Sequence, residues 1–124
     1  MTYLLDSVIL IDHFNGIEAA TAFLSEHGSE CAVSVITRAE VLAGFTVRTE
    51  PLARELLDVF PHLQITSEIA DLAASLRRSG HWKLPDALQA AVAVQHELTL
   101  VTRNTRDFAR GGKVKVDVLV PYRV

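Results

Sequence analysis

The stretch from Leu84 to Ala93 restricts the possible folds of this 124-residue chain more than any other part of the sequence. It starts with Leu-Pro-Asp, a pattern typical of helix beginnings because proline is tolerated in the first turn. The residues that follow are small and apolar on almost every side of the predicted helix. A helix of that kind is expected to lie inside the fold, so the sequence predicts a central helix with Asp86 at its N-terminal end.

Asp86 admits two interpretations. Gln89 follows it by three residues, which is the spacing at which two such side chains form a capping box. In the second interpretation, Asp86 is one of several carboxylates that surround a divalent cation. This stretch alone favours the capping box, so the choice depends on acids elsewhere in the chain.

The composition predicts one cytoplasmic domain that spans residues 1–124. Apolar residues make up 49% of the chain, which is enough for a buried core without disulfide bonds. Cys31 is the only cysteine, which excludes a disulfide framework and fits a reducing compartment. Asp6 and Asp12 interrupt the N-terminal apolar stretch, and no apolar run approaches the roughly 20 residues that span a bilayer. We therefore expect neither a signal peptide nor a membrane segment.

The net charge of −3 conceals an uneven distribution of basic residues. Residues 1–76 carry three arginines and eleven acids, whereas residues 77–124 carry nine basic residues and four acids. If the nine cluster in space, they form a phosphate-attracting rim, and if they do not, they form an ordinary solvated face. They are Arg77, Arg78, Lys83, Arg103, Arg106, Arg110, Lys113, Lys115 and Arg123.

Short apolar runs that alternate with helical patterns predict the fold class. The predicted strands are residues 3–5, 31–35, 63–65, 98–102 and 114–120. The predicted helices are about 7–14, 17–27, 37–45, 51–60, 67–80, 85–96 and 104–109, the third opened by a capping box of Thr37 and Glu40. This alternation is typical of an α/β fold, here with three α/β/α layers and a mostly parallel sheet of about five short strands.

Four acidic residues follow predicted strands or open the helices beside them. They are Asp6, Glu40, Asp86 and Asp107. Each alone can be explained by a helix N-terminus, where a negative charge is favourable by roughly 0.3–1 kcal/mol. Helix capping does not explain why all four fall at the carboxyl edge of one sheet, which is the edge where such folds bind ligands.

Carboxylates that lie close together repel one another, and they stay ionised at neutral pH only beside a cation. Oxygen ligands without a nearby cysteine or histidine pair suit Mg²⁺ or Mn²⁺. The five histidines show neither an i, i+4 pair nor an HExxH motif, which argues against zinc. The sequence therefore predicts an acidic pocket for Mg²⁺, with Mn²⁺ as an alternative.

Other chemistries lack their sequence motifs. GxGxxG, GxxxxGK[ST] and GxSxG are absent, and Cys31 lies within a predicted strand, a poor position for a nucleophile. An acidic Mg²⁺ site activates water and neutralises the charge that develops during in-line attack on phosphorus. Together with a basic rim, such a site predicts a phosphodiester backbone as substrate.

Four segments of the chain resemble one known family. They are Leu4-Leu5-Asp6-Ser7, residues 34–44 (Ser-Val-Ile-Thr-Arg-Ala-Glu-Val-Leu-Ala-Gly), residues 84–91 (Leu-Pro-Asp-Ala-Leu-Gln-Ala-Ala) and residues 100–108 (Leu-Val-Thr-Arg-Asn-Thr-Arg-Asp-Phe). In this order and in a chain of this length, they are similar to the PIN-domain family, specifically to the VapC-type ribonuclease toxins of type II (VapBC) toxin–antitoxin systems. The resemblance runs from the first strand to the last.

The resemblance implies an α/β/α PIN fold and an endoribonuclease that hydrolyses RNA with Mg²⁺ or Mn²⁺. By position, Asp6, Glu40 and Asp86 match the acidic triad of the family. Asp6 and Asp86 would be the main metal ligands, and Glu40 would bind the metal directly or through water, or orient the attacking water.

The fourth acid of the family falls at the position of Asn104 or of Asp107. Because Asn104 is an amide, the resemblance leaves open which residue completes the catalytic set and whether there is a second metal site. Thr102 and Asn104 would orient the acids or a phosphate through hydrogen bonds.

The resemblance also implies a homodimer and an antitoxin protein, with which the chain would form a hetero-oligomer. The antitoxin would lay an apolar segment across the helices near residues 37–60. The alternative is that the apolar residues there belong to an ordinary core. They are Leu42, Phe45, Leu52, Leu56 and Phe60.

Two other functions share some of these features. A signalling receiver domain is also a parallel α/β fold with an aspartate-lined Mg²⁺ site, but it requires adjacent acids after its first strand. Here Ser7 follows Asp6. A PIN fold that only binds RNA or a partner is expected to have lost a core acid, and all three are present. The sequence therefore favours metal-dependent hydrolysis of a phosphodiester, and the choice of RNA over DNA rests on the resemblance, because a metal-activated water does not need a 2′-OH.

Overall fold

The computed structural model of the chain describes residues 1–108 and 114–124. Its strands are β1 (Tyr3–Leu5), β2 (Cys31–Ser34), β3 (His62–Leu63), β4 (Thr99–Val101) and β5 (Val118–Leu119). Its helices are α1 (Ser7–Phe14), α2 (Glu18–His27), α3 (Val35–Ala43), α4 (Glu50–Leu57), α5 (Ser67–Ser79), α6 (Leu84–Gln95) and α7 (Thr105–Phe108), with a 3-10 helix at Gly28–Glu30. The predicted elements occur in the predicted order.

Some sequence predictions concern residues 109–113, which lie outside the described residues. These are the end of the last helix at Ala109 and two members of the basic set, Arg110 and Lys113. In the part of the chain that the structure describes, no helix is long and apolar enough to cross a membrane. That residues 1–124 form a single domain stays a prediction.

The five strands form a parallel sheet in the order β3-β2-β1-β4-β5. β1 lies in the middle, where Tyr3 is opposite Cys31 of β2 and Thr99 of β4. Parallel neighbours need crossover connections, and here helices provide them. The predicted three-layer α/β/α fold with a parallel central sheet is confirmed.

Each side of the sheet has its own core, because successive strand residues point to opposite faces. Leu4 and Leu100 pack with α5 and α6, whereas Leu5 and Val101 pack with α1 to α4. All four side chains are fully buried. This burial on both faces explains why the inner strands read as continuous apolar runs in the sequence.

α6 is the central helix that the sequence predicts. Five of its apolar residues are no more than 1% exposed. They are Ala87, Ala90, Ala91, Val92 and Ala93. They belong to the core on the α5 side of the sheet. The lack of a polar face therefore reflects burial on nearly all sides of the helix.

The predicted start of α3 at Thr37 is wrong. The helix begins at Val35, and its N-cap is Ser34, whose hydroxyl oxygen accepts the Thr37 N–H at 3.2 Å. Thr37 lies inside the helix and donates its own hydroxyl to the Leu5 carbonyl at 3.0 Å. Its side chain is therefore engaged with β1, and it forms no capping box with Glu40.

The capping box of Asp86 and Gln89 is also wrong. The N-cap of α6 is Lys83, which makes no side-chain capping bond, and Asp86 lies within the first turn. Gln89 is 2% exposed and makes its hydrogen bonds in the protein interior. A capping role therefore does not account for Asp86 at the start of this helix.

Two strands differ from their predicted bounds. β3 covers His62–Leu63 rather than 63–65, and β5 covers Val118–Leu119 rather than 114–120. Val114 and Val116 lie outside β5 but still pack against the core. Part of the predicted strand therefore packs against the core without pairing with β4.

A partly buried ion pair joins α1 to the segments after β4 and β5. Asp12 is 3% exposed and accepts two hydrogen bonds from Arg103, at 2.6 Å from Nε and 2.8 Å from Nη2. Tyr122 donates its hydroxyl to the same carboxylate at 2.8 Å. The bonds from Arg103, and to a lesser extent from Tyr122, hold the pKa of Asp12 below its usual range against the effect of burial.

We expect Asp12→Asn to destabilise the protein by about 2 kcal/mol at neutral pH, since hydrogen bonds to a charged group contribute about 1.5–3 kcal/mol. The pKa of Asp12 is lower in the folded state than the roughly 3.9 of an unfolded chain. Its stabilising effect is therefore present above that value and is lost as the pH falls through the folded pKa. Urea unfolding of both proteins at about pH 7 and about pH 3 measures this, and an equal difference at both pH values would contradict it.

Candidate active site

A cavity of about 260 Å³ lies at the carboxyl edge of the sheet. Its walls come from the segments that follow β1, β2 and β4 and from the start of α6. The structure brings the four predicted acids together here, although they are far apart in sequence. The lining residues are Asp6, Ser7, Glu40, Lys83, Pro85, Asp86, Asn104 and Asp107.

Asp6 is the most deeply buried of these acids, with 7% of its surface exposed. It is the N-cap of α1, and its Oδ1 accepts the Ser7 N–H at 2.9 Å. Its Oδ2 accepts the Thr102 hydroxyl at 2.7 Å. Neutral donors from two neighbouring segments therefore fix both carboxylate oxygens.

Burial raises the pKa of Asp6 above its usual range. Hydrogen bonds from Thr102, from the Ser7 backbone and from Gln89 oppose this shift, and the negative charge of Asp107 adds to it. None of these opposing donors carries a charge, so the ionised form of Asp6 is only partly compensated.

Glu40, on α3, shows the same kind of perturbation. Burial is the largest cause that raises its pKa, and the charges of Asp6 and Asp86 raise it further. The Ser7 side chain opposes the shift through a hydrogen bond. The carboxylates of the cavity are therefore electrostatically coupled, and a cation among them would favour their ionised forms.

Both candidates for the fourth acidic position line the cavity. The Asp107 N–H donates to the Asn104 carbonyl at 3.2 Å, and the Asn104 N–H donates to the Thr102 hydroxyl oxygen at 3.0 Å. The same Thr102 hydroxyl donates to Asp6. Thr102 thus links Asp6 to the segment that carries Asn104 and Asp107, whose catalytic role stays a prediction.

A buried polar network centred on Gln89 joins α6 to α3 and to the end of β1. Gln89 Oε1 accepts the Ser34 hydroxyl, while its Nε2 donates to the Thr37 hydroxyl oxygen at 2.7 Å and to the Leu5 carbonyl at 3.4 Å. This network was not predicted from the sequence, because the spacing of three residues between Asp86 and Gln89 indicated a helix cap. The available signal was a single polar side chain within the apolar run of a helix predicted to be buried.

The donor chemistry of the cavity fits a divalent cation that prefers oxygen ligands. Carboxylates and the Asn104 amide supply the oxygen atoms, and no described histidine or cysteine lines the cavity. Within residues 1–108 and 114–124, no three His, Cys, Asp or Glu side chains are close enough to form a ready-made metal site. Mg²⁺ usually keeps several waters and needs only one or two carboxylates, so the arrangement suits it better than it suits zinc.

The predicted basic residues lie in different surroundings. Lys83 is the described basic residue that lines the acidic cavity. Arg103 is bound to Asp12, whereas Arg77 and Arg78 line a separate cavity between α5 and α6. Among the described basic residues, Lys83 is therefore the one whose position would allow contact with a phosphate in the acidic cavity.

The five apolar residues predicted for an antitoxin groove lie on or beside α3 and α4. Phe60 is 5% exposed and belongs to the core, in agreement with the alternative interpretation. Leu42, Phe45 and Leu56 are half-buried against the same core, and Leu52 is 64% exposed. Phe60 is therefore a structural residue, whereas the other four contribute to an accessible apolar surface.

Solved structures share this fold. The chain matches a chain of a toxin–antitoxin complex from Klebsiella pneumoniae with a TM-score of 0.87 and 38% identity, covering 99% of this chain and 100% of that one. It matches FitAcB from Neisseria gonorrhoeae with a TM-score of 0.82 and 24% identity, covering 99% and 100% of the two chains. The second likeness shows the fold alone.

Sequence comparisons identify the family. The model of the PIN domain matches residues 3–114. The chain is 35% identical to Ribonuclease VapC19 of Mycobacterium tuberculosis over 115 residues, which covers 85% of this chain and 90% of that protein. The chain therefore belongs to the PIN-domain family and, within it, to the VapC type.

We expect Asp6→Asn to raise the melting temperature of the metal-free protein at neutral pH. Because the pKa of Asp6 is raised on folding, its contribution to stability declines as the pH rises through the folded pKa, and a neutral side chain avoids this loss. Asparagine is also as good an N-cap as aspartate. Thermal unfolding with EDTA at about pH 7 measures the effect.

Asp71→Asn is the matched control, because Asp71 is an exposed acid on α5 that does not line the cavity. It is expected to leave the melting temperature unchanged. A lower melting temperature for Asp6→Asn than for the wild type would show that the Asp6 charge stabilises the fold.

Proposed function

We propose that this protein is a Mg²⁺-dependent endoribonuclease and the toxin of a toxin–antitoxin pair, with Mn²⁺ as an alternative cation. The observation that carries the proposal is the single cavity that Asp6, Glu40, Asp86 and Asp107 line at the carboxyl edge of a parallel sheet. The 35% identity to Ribonuclease VapC19 supports RNA as the substrate. The 38% identity to a chain of a toxin–antitoxin complex supports the biological role.

In this proposal, Asp6 and Asp86 hold the cation. Thr102 and the Ser7 N–H already fix the Asp6 carboxylate, so it needs little rearrangement on binding. A bound divalent cation would lower the pKa of water in the cavity and neutralise the charge that develops on the phosphate oxygens. Asp86 projects from the first turn of α6, which is itself fixed in the core.

Glu40 orients the attacking water or contributes to the cation site. Its pKa is raised by partial burial and by the neighbouring Asp6 and Asp86, and its side chain lines the cavity where the attacking water would lie. Lys83 and Asn104 line the same cavity and offer N–H donors to the non-bridging oxygens of a phosphodiester. Asp107 completes the acidic lining.

We further propose that an antitoxin covers the apolar surface formed by Leu42, Phe45, Leu52 and Leu56. Amphipathic partner segments bind such surfaces by burying apolar side chains in a groove. The likeness to the Klebsiella pneumoniae complex supports this partner. The proposed homodimer rests on the family resemblance. The proposed cytoplasmic location rests on the single cysteine, Cys31, which is buried and unpaired.

The test is the cleavage of a labelled RNA of mixed sequence by the purified protein, with Mg²⁺ and with EDTA. We expect cutting that requires Mg²⁺ or Mn²⁺ and that Asp86→Asn abolishes without unfolding the protein. Changes to residues that merely orient metal ligands already cost about 10- to 100-fold, so the loss for Asp86→Asn should be at least about a hundredfold. Asp6→Asn should have the same effect.

Asp71→Asn again serves as the control, since it removes an exposed aspartate that does not line the cavity. Full activity of Asp86→Asn or Asp6→Asn would refute the metal-pocket mechanism. RNA binding by the wild type without any cleavage, with either metal, would instead support a module that binds RNA without catalysis.

A further inference from the structure

Gln89 occupies a position where an apolar residue would satisfy burial. It is 2% exposed, and its neighbours on α6, Ala87, Ala90 and Ala91, are all fully buried. Apolar packing is non-directional, whereas a hydrogen bond fixes distance and angle. A buried amide at this position therefore specifies the relative placement of the groups it binds, which an aliphatic side chain of similar size does not do.

The hydrogen bonds of Gln89 have defined directions. The Ser34 hydroxyl donates to Oε1 and accepts the Thr37 N–H, while the Thr37 hydroxyl accepts from Nε2 and donates to the Leu5 carbonyl. Each hydroxyl thus uses both its donor and its acceptor capacity. Such a fully satisfied buried network holds its members in one arrangement.

The network touches the three segments that carry the acidic triad. Leu5 directly precedes Asp6, and Thr37 lies one helical turn before Glu40 on α3. Gln89 itself lies one turn after Asp86 on α6. One amide therefore joins the end of β1, the start of α3 and the first half of α6.

We propose that Gln89 is a positioning residue, whose buried amide sets the relative placement of the segments that carry Asp6, Glu40 and Asp86 around the cation site. This inference rests on the proposed function, because it assigns to Gln89 an effect on the cation site of that reaction. Changing a residue that orients metal ligands typically costs about 10- to 100-fold in metal affinity or activity.

The test variant is Gln89→Met, which keeps the length and volume of the side chain and removes its hydrogen bonds. Calorimetric titration of the protein with Mn²⁺, without RNA, is expected to show affinity about 10- to 100-fold weaker than that of the wild type. In RNA cleavage, the Mn²⁺ concentration for half-maximal rate should rise by the same factor. The rate at saturating Mn²⁺ should stay close to that of the wild type.

Val92→Ala is the matched control, because it truncates a fully buried side chain of the same helix that lies in an apolar cluster. It should lower the melting temperature and leave the Mn²⁺ affinity unchanged. Equal weakening of Mn²⁺ binding in Val92→Ala and Gln89→Met would mean that general destabilisation is the cause, and the positioning role would be overturned.

Thr37→Val is a second variant, which removes the hydrogen bonds of the Thr37 hydroxyl at nearly constant side-chain volume. It tests the positioning role if Gln89→Met does not fold. It should weaken Mn²⁺ binding in the same direction, and wild-type affinity in this folded variant would overturn the inference. If the wild type neither binds Mn²⁺ nor cleaves RNA, the proposed function itself fails. If the wild type does both and the variants match it, only the role of Gln89 fails.

Discussion

Repulsion among carboxylates at one edge of the sheet is the constraint on which the rest of the structure depends. Asp6 follows β1, and Glu40 and Asp86 lie on α3 and α6. Beyond the effect of burial, the charges of Asp6 and Asp86 raise the pKa of Glu40, and that of Asp107 raises the pKa of Asp6. Neutral donors, the Ser7 N–H and the Thr102 hydroxyl, fix Asp6, and the Gln89 network joins the segments that carry the three acids. Stability given up at such a site is a common feature of functional sites. The burial of α6 in the core on the α5 side of the sheet offsets this cost.

Two aspartates on α1 show how the environment separates a structural acid from a functional one. Asp12 receives a bidentate guanidinium and a phenol hydroxyl, and its pKa is lowered. Asp6, at the other end of the same helix, receives only neutral donors, and its pKa is raised. Both side chains are buried, so burial alone does not identify the functional residue. What distinguishes Asp6 is that its negative charge lacks a compensating cation in the described part of the chain, which is the property expected of a cation ligand.

Membership of the PIN-domain family and the geometry of the site are two independent lines of evidence for the function. The family match covers residues 3–114 and accounts for the order of strands and helices. Folds of this kind host many functions, so the chemistry must be argued from the residues at the site. Here the acidic cavity contains the residues that the family pattern selects by position, and it adds Lys83, which the pattern does not select. The structural neighbour at 24% identity shows how far the fold persists when much of the sequence has changed.

The sequence by itself determined the fold class, the central helix and the four acids at one sheet edge, because apolar periodicity and strand ends are local properties. It did not determine the N-caps of α3 and α6, the short extent of β5 or the partners of Gln89 and Asp12. Those depend on residues that meet only after folding, such as Ser34 and Gln89, which are 55 positions apart, and Asp12 and Arg103, which are 91 apart. A polar residue looks the same in sequence whether its partner is the next turn or a distant strand. The tertiary structure decides between them, since a buried donor or acceptor must find its partner wherever the packing brings one.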